Sequence, residues 1–525
     1  MEHITSTAYK DQKPGTSGLR KKTKVFMQPN YSEHFLSGCL DILTKIGESF
    51  VIGGDGRYYS EHVIQLTIEL AAAFQRPLTI FIGQNGILST PAASYIIRKN
   101  KLSGGILLTA SHNPGGIDED FGIKLNCENG GPASELVTDQ LYNYTKSITG
   151  YSILKLEKVA IDKIGVYKLG NVTVKVIDST SDYLQYMQTI FDFPKIKSFV
   201  HEQQFTILFD AMSGVTGPYA KAIFKALGVE NSTIRDIPLP DFGKGHPDPN
   251  LTYAKTLVEK VKANKIQFGA ASDGDGDRNM IISFDQFVSP GDSVAVIAHH
   301  YKAIPYFKGG LKGVARSMPT SKALDKVAEK LKIPCYETPT GWKFFGNLMD
   351  ADKLSICGEE SFGTGSDHIR EKDGIWAILA WLSIVAETKK GIAAILADFW
   401  EEYGRYYFTR YDYEQVSGEG ATKMMAHLLT LQNEKDFKVD TFCYTDPIDH
   451  SVSDNQGVRL MFNDGSRVIF RLSGTGSSGA TVRMYIDKYD KNYKLPDALQ
   501  GLVKRALDIS NLEAFIERSE PTVIT

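Results

Sequence analysis

Apolar and polar positions fall in blocks along the chain. Phe50-Val51-Ile52-Gly53, Leu78-Thr79-Ile80-Phe81-Ile82 and Gly105-Ile106-Leu107-Leu108 have the length of buried strands, and helical runs over 61–75 and 91–99 separate them. Ser60 stands where it would cap the first of these helices. Strand, helix, strand, helix, strand is the rhythm of a mostly parallel sheet. The third strand runs into Thr-Ala-Ser-His-Asn-Pro-Gly-Gly (109–116), where the proline and glycines force a turn and leave Ser111 at a strand end. Ligands of such sheets collect beyond those ends. Lys124 sits on the strand-like Phe121–Asn126. If that segment returns alongside the serine loop, its ammonium could move a proton to or from an attacking hydroxyl.

A second unit begins near residue 192, with strands at 205–209 and 267–271 around a helix at 219–227. Its last strand ends in Ser272-Asp273-Gly274-Asp275-Gly276-Asp277-Arg278. In extended backbone the three aspartates point to one side and repel, so something must neutralise them. An EF-hand calcium loop fits poorly, because Arg278 and Phe284 stand where that loop needs Gly and Glu. Mg²⁺ sharing its remaining ligands with phosphate or water fits better.

A third unit repeats the pattern: strands at 311–315 and 354–357, a helix over 321–332 and a turn over 337–342. Gly358-Glu359-Glu360-Ser361-Phe362-Gly363 closes it, a loop suited to the hydroxyls of a sugar. From about residue 405 the character changes. Val458–Phe462 and Arg467–Leu472 read as strands of a hairpin across Asn463-Asp464-Gly465. The following Ser473-Gly474-Thr475-Gly476-Ser477-Ser478-Gly479 opens no helix, which excludes a dinucleotide fingerprint. Flanked by Arg471 and Arg483, it describes a seat for a phosphate dianion.

With 525 residues, roughly three to five domains are expected. The net charge of −3 gives no basic field for nucleic acid or an anionic membrane. Five scattered cysteines suggest neither a disulfide framework nor a zinc site. The N-terminus lacks a secretion signal's apolar core, and the longest apolar stretch, 375–386, is too short to span a bilayer, so a cytoplasmic protein is expected. Residues 9–24, a Gly/Ser/Thr loop running into Arg20-Lys21-Lys22, read equally as a flexible terminus or as a phosphate cradle.

The motifs at 109–116, 273–278, 358–363 and 471–476, in that order, resemble those of the α-D-phosphohexomutase superfamily, and the Glu359-Glu360-Ser361-Phe362 spelling resembles its glucose-specific branch. The resemblance implies three related α/β domains with mixed sheets and a smaller α+β domain around one cleft, with boundaries read here as 1–190, 191–295, 296–404 and 405–525. It implies that Ser111 carries phosphate, that Asp273, Asp275 and Asp277 bind Mg²⁺ with an oxygen of that phosphate, and that Glu359 and Ser361, beside Thr340 and Gly341, contact sugar hydroxyls. Arg471, Ser473, Gly474, Thr475 and Arg483 would hold the unreacting phosphate, and Arg20, His112, Lys124, Arg278 and Lys372 would line the site. The implied reaction interconverts glucose 1-phosphate and glucose 6-phosphate through glucose 1,6-bisphosphate, in a monomer whose partners are small hexose phosphates. The alternatives are a catalytically silent adaptor and a mutase for mannose or N-acetylglucosamine phosphates.

Overall fold

In a computed structural model, which describes residues 1–15, 17–431, 435–476, 479–493 and 497–525 with the side chains of 473–476 excepted, the first three units share one topology. In the first, Leu78–Ile87, Ser49–Gly54 and Gly105–Leu108 lie parallel and Asp120–Asn126 returns antiparallel, with Leu107 opposite Lys124. In the second, Thr233–Ile234, Ile207–Asp210 and Phe268–Ser272 are parallel and Asn279–Ile282 returns antiparallel. In the third, Cys335–Thr338, Val314–Ser317 and Ile356–Gly358 are followed by the antiparallel Thr364–Ser366. The connection from the last parallel strand to its return carries Ser111 in one unit, the three aspartates in the next, and Glu359 with Ser361 in the third. One topology thereby sets three chemically different loops at equivalent edges. The first sheet extends to seven strands through Leu19–Lys22 at one edge and Val172–Ile177 with Gly165–Leu169 at the other.

Some local expectations need correction. The first helix runs Ser60–Ala72, and Ser60 is its first residue rather than its cap. Tyr59, at φ 79, makes the entry turn, and the Ser60 hydroxyl is buried without a partner. The helix stops short of residue 75 because Gln75 turns left-handed at φ 53 and Arg76 precedes a proline. Within 337–342 only 339–341 turn, since Glu337 and Thr338 pair with Arg316 and Ser317 in a parallel ladder. Arg20 lies on the edge strand Leu19–Lys22, opposite Gly122, and not in a loose terminus.

The all-apolar run became the helix Gly374–Thr388, which is buried around its whole circumference. Trp376 and Trp381 there are 0% exposed, and one continuous core runs from Val51 and Ala93 through this helix to Tyr403. The three α/β units are therefore cemented together. No helix among the described residues is long and apolar enough to cross a membrane.

Beyond Gly404, at φ 75, the fourth unit has its own core: a six-stranded antiparallel sheet covered by the helices Gly418–Thr430 and Gln500–Ser510. Its Arg467 donates to the carbonyls of Met318 (3.2 Å) and Thr320 (2.9 Å), docking it on the third unit.

Near this junction Asp292 is buried, with the Trp400 Nε1 donor at 3.3 Å from Oδ2 and Oδ1 buried without a hydrogen-bond partner. Burial pushes its pKa up to about 6 despite nearby Arg405. The native state then holds a proton that the unfolded chain sheds near 3.8, so this stability is present at acid pH and is lost as pH rises to about 6. Asp292→Asn is expected to raise the melting temperature above pH 6 and leave it unchanged near pH 4. A pH series of thermal melts checks both halves.

Candidate active site

Ser111 is held in a conformation that L-residues avoid, φ 54, and is 2% exposed. Its surroundings over-determine it: its amide donates to Thr109 Oγ1 (2.7 Å), Thr109 donates to Asp55 (2.6 Å), and Arg57, paired with Asp55, donates to the Ser111 carbonyl (3.2 Å). The sequence reading missed this support, although Asp55-Gly56-Arg57 sits on the turn after a legible strand. The Ser111 hydroxyl, so aimed, donates to Asp273 Oδ2 at 2.9 Å, across the boundary between two units. His112 Nδ1 lies 3.4 Å from Ser111 Oγ. Burial first, then Arg278 and Arg20, hold His112 well below the ordinary imidazole value, so its ring is neutral at pH 7.

Asp273, Asp275 and Asp277 offer one oxygen each within 4.8 Å of one another, all three residues being buried. Asp273 Oδ1 accepts the amides of Gly276 (3.1 Å) and Arg278 (3.0 Å), and Asp275 Oδ2 accepts Thr90 Oγ1 (2.8 Å). Asp275 Oδ1 and Asp277 Oδ1 are buried with no partner. At such separations each carboxylate pair repels by roughly 3–4 kcal/mol at an effective dielectric near 20. Burial, then Asp275 and Asp277, drive the Asp273 carboxyl well above its usual range. Crowded, orphaned carboxylate oxygens fit a small hard dication.

Two lysines enter from neighbouring elements. Lys372 Nζ is 3.0 Å from Asp277 Oδ2; burial opposes its charge, but Asp277, Glu359 and Glu371 outweigh that and raise its pKa. Lys124 lies on its strand as expected, but it is buried there and its partner is Glu371, which also accepts Asn126 Nδ2 at 2.9 Å. Arg20 has its Nε buried without a partner and feels Asp275 and Asp277.

On the opposite wall Glu359 Oε1 accepts the Gly341 amide at 3.0 Å, and burial raises its pKa. Arg471 donates to Thr340 Oγ1 (2.5 Å) and to the Tyr485 hydroxyl (3.3 Å). Arg483, 3.6 Å from Asp412, lines a cavity of about 80 Å³ with Ser361, Arg278, Asp248 and His112, so all four units contribute to one space. The side chains of Ser473, Gly474 and Thr475 lie outside the described residues; their backbone completes the strand Arg467–Gly476. Asp248, His246 and Tyr485 were not anticipated. Only the proline spacing of His246-Pro247-Asp248-Pro249-Asn250 hinted at a fixed loop.

A serine hydroxyl facing a trio of carboxylates, walled by lysines and arginines from four units, defines a phosphoryl-transfer enzyme acting on a small phosphorylated substrate. The chain matches the models of phosphoglucomutase/phosphomannomutase α/β/α domains I (residues 11–152), II (181–285) and III (290–403), and of the phosphoglucomutase-1 C-terminal domain (405–522). It belongs to the phosphoglucomutase/phosphomannomutase family. It is 53% identical to a phosphoglucomutase of Emericella nidulans over 100% of both chains, and 52% identical to phosphoglucomutase-1 of Bos taurus over 99% of both. Among solved structures it is similar to pp63/parafusin, a Paramecium phosphoglucomutase in an open form, with a TM-score of 0.93 and 49% identity over 100% of this chain and 99% of that one.

Proposed function

We propose that the chain interconverts α-D-glucose 1-phosphate and glucose 6-phosphate, using Ser111 as the phosphoryl carrier and glucose 1,6-bisphosphate as the intermediate. The observation that carries this reading is the 2.9 Å contact between Ser111 Oγ and Asp273 at the meeting of two units. Asp273, Asp275 and Asp277 would hold Mg²⁺, which supplies charge neutralisation for a transferring phosphoryl group. The chain's own task is placement. Lys372, Arg278 and Arg20 bring positive charge around a phosphate on Ser111, and the buried setting of that residue keeps water from it.

The bond from phosphorus to Ser111 Oγ breaks as one forms to the 6-hydroxyl of glucose 1-phosphate. That hydroxyl's proton passes to the Lys124–Glu371 pair, which returns one to the departing Ser111 Oγ. After the bisphosphate turns end for end, Ser111 Oγ takes its 1-phosphoryl group and gives up its own proton, the departing sugar oxygen gains one by the same route, and glucose 6-phosphate leaves. Glu359 and Ser361 would accept from sugar hydroxyls, while Arg471 and Arg483, with the 473–475 backbone, seat whichever phosphate is not reacting. The modest net charge of −3 supports an enzyme of small phosphates rather than a nucleic-acid or anionic-membrane protein.

The test is turnover of glucose 1-phosphate with Mg²⁺ and trace glucose 1,6-bisphosphate, run beside mannose 1-phosphate and repeated with Arg471→Ala. Glucose 1-phosphate is expected to be strongly preferred. Losing the charged contact at Arg471 is expected to raise KM roughly ten- to a hundredfold, as a loss of about 1.5–3 kcal/mol. Equal turnover of the mannose ester would move the chain to the other branch of the family. An unchanged kcat/KM in Arg471→Ala would place the distal seat elsewhere.

A further inference from the structure

We propose that Asp248 is a positioning residue: it holds the Arg278 guanidinium off Asp273 and Asp277 and so keeps the aspartate trio open to a divalent cation. Arg278 directly follows the aspartate loop and is flanked by acids on two sides. Its Nη1 is 3.5 Å from Asp248 Oδ1, while its Nε is 3.9 Å from Asp273 Oδ2 and 4.0 Å from Asp277 Oδ1. None of these is a hydrogen bond. Arg278 Nε, Asp248 Oδ1 and Asp277 Oδ1 are all buried without a hydrogen-bond partner. The guanidinium is thus suspended between one carboxylate and several, and removing Asp248 takes away the nearest of them, so that the balance tips toward the trio, where charged hydrogen bonds await it.

Asp248 is built to resist that pull. Pro247 and Pro249 fix the backbone on either side of it. Its Oδ2 accepts Asn250 Nδ2 at 2.9 Å, its amide donates to the His246 carbonyl at 2.9 Å, and His246 stacks on Tyr253 with centroids 4.0 Å apart. A further carboxylate at the rim of a site for phosphate dianions hinders binding by its charge alone. Its fixed place opposite the trio, with Arg278 between, gives it a use.

This inference rests on the reading that the trio binds a divalent cation, and the experiment separates the two. Mg²⁺ is titrated calorimetrically into the unphosphorylated full chain as wild type, Asp248→Asn, Asp248→Ser, Asp248→Glu, Arg278→Gln and Asp248→Asn/Arg278→Gln, with folding checked by thermal melts. Either neutral variant is expected to bind Mg²⁺ roughly tenfold more weakly or worse, since Arg278 then bonds the trio. Asp248→Glu is expected to recover most of the affinity. In the Arg278→Gln background, Asp248→Asn is expected to have no further effect. Wild type that does not bind Mg²⁺ overturns the cation site and this inference together. Wild-type binding with an unchanged Asp248→Asn and Asp248→Ser, or a loss of the same size with and without Arg278, overturns the role of Asp248 alone.

Discussion

Ser111→Ala is expected to lower kcat by at least about 10⁴-fold, the scale on which removing a covalent carrier acts, while leaving the fold in place. Among the described residues no other hydroxyl is presented to Asp273 and His112 as the Ser111 oxygen is, at 2.9 and 3.4 Å. The left-handed turn does not depend on that side chain. Thr109 Oγ1 holds the Ser111 amide, Arg57 holds its carbonyl, and alanine keeps both backbone groups. The lost hydrogen bond to Asp273 costs about 0.5–1.5 kcal/mol, a small shift in melting temperature. A coupled assay measures turnover, and intact mass after incubation with glucose 1,6-bisphosphate shows whether a phosphoryl group is retained. Wild type is expected to gain one and Ser111→Ala none. Normal turnover in the variant would end the assignment of Ser111.

The sequence exposed the loops better than the walls around them. Ser111, the three aspartates and the 358–363 loop were legible because each follows an apolar strand and is bounded by glycine or proline, signals carried by adjacent residues. The threefold repeat was legible for the same reason, and the antiparallel return strands explain why the loops recur. Partners distant in sequence were not. Asp55 and Arg57 reach Ser111 only after the strands Ser49–Gly54 and Gly105–Leu108 lie side by side, and Lys124 meets Glu371 only after the first and third units pack. Pattern placed Lys124 on a strand correctly but could not supply the buried acid that engages it. Helix ends failed where a single left-handed residue decided them, as at Tyr59 and Gln75, since non-glycine residues there leave little compositional trace. Arg20 was ambiguous because a strand of four residues at a sheet edge has no periodicity to read.

Asp273→Asn is expected to separate stability from activity, with opposite signs. Asp273 is 0% exposed and lies beside Asp275 and Asp277, and burial followed by those two charges holds its carboxyl well above 3.8. Its folded pKa therefore exceeds its unfolded one. The stability this gives is present below the ordinary carboxylate range and is lost as pH rises through the raised value, so once the loop is ionised without metal it weakens the fold. Asparagine keeps an acceptor for the Gly276 and Arg278 amides and cannot ionise, so metal-free Asp273→Asn should melt above metal-free wild type. Mg²⁺ should reverse the order. A cation bound only to the native state adds about 2.7 kcal/mol at a hundred times its dissociation constant, and the variant should lose most of that gain. Turnover should fall about a hundred- to a thousandfold, the scale of losing a preorganised electrostatic contact to the transferring group. Melts with and without Mg²⁺, beside the coupled assay, give all three results. If Mg²⁺ raised both proteins equally, the cation would bind elsewhere and the crowded carboxylates would need another explanation.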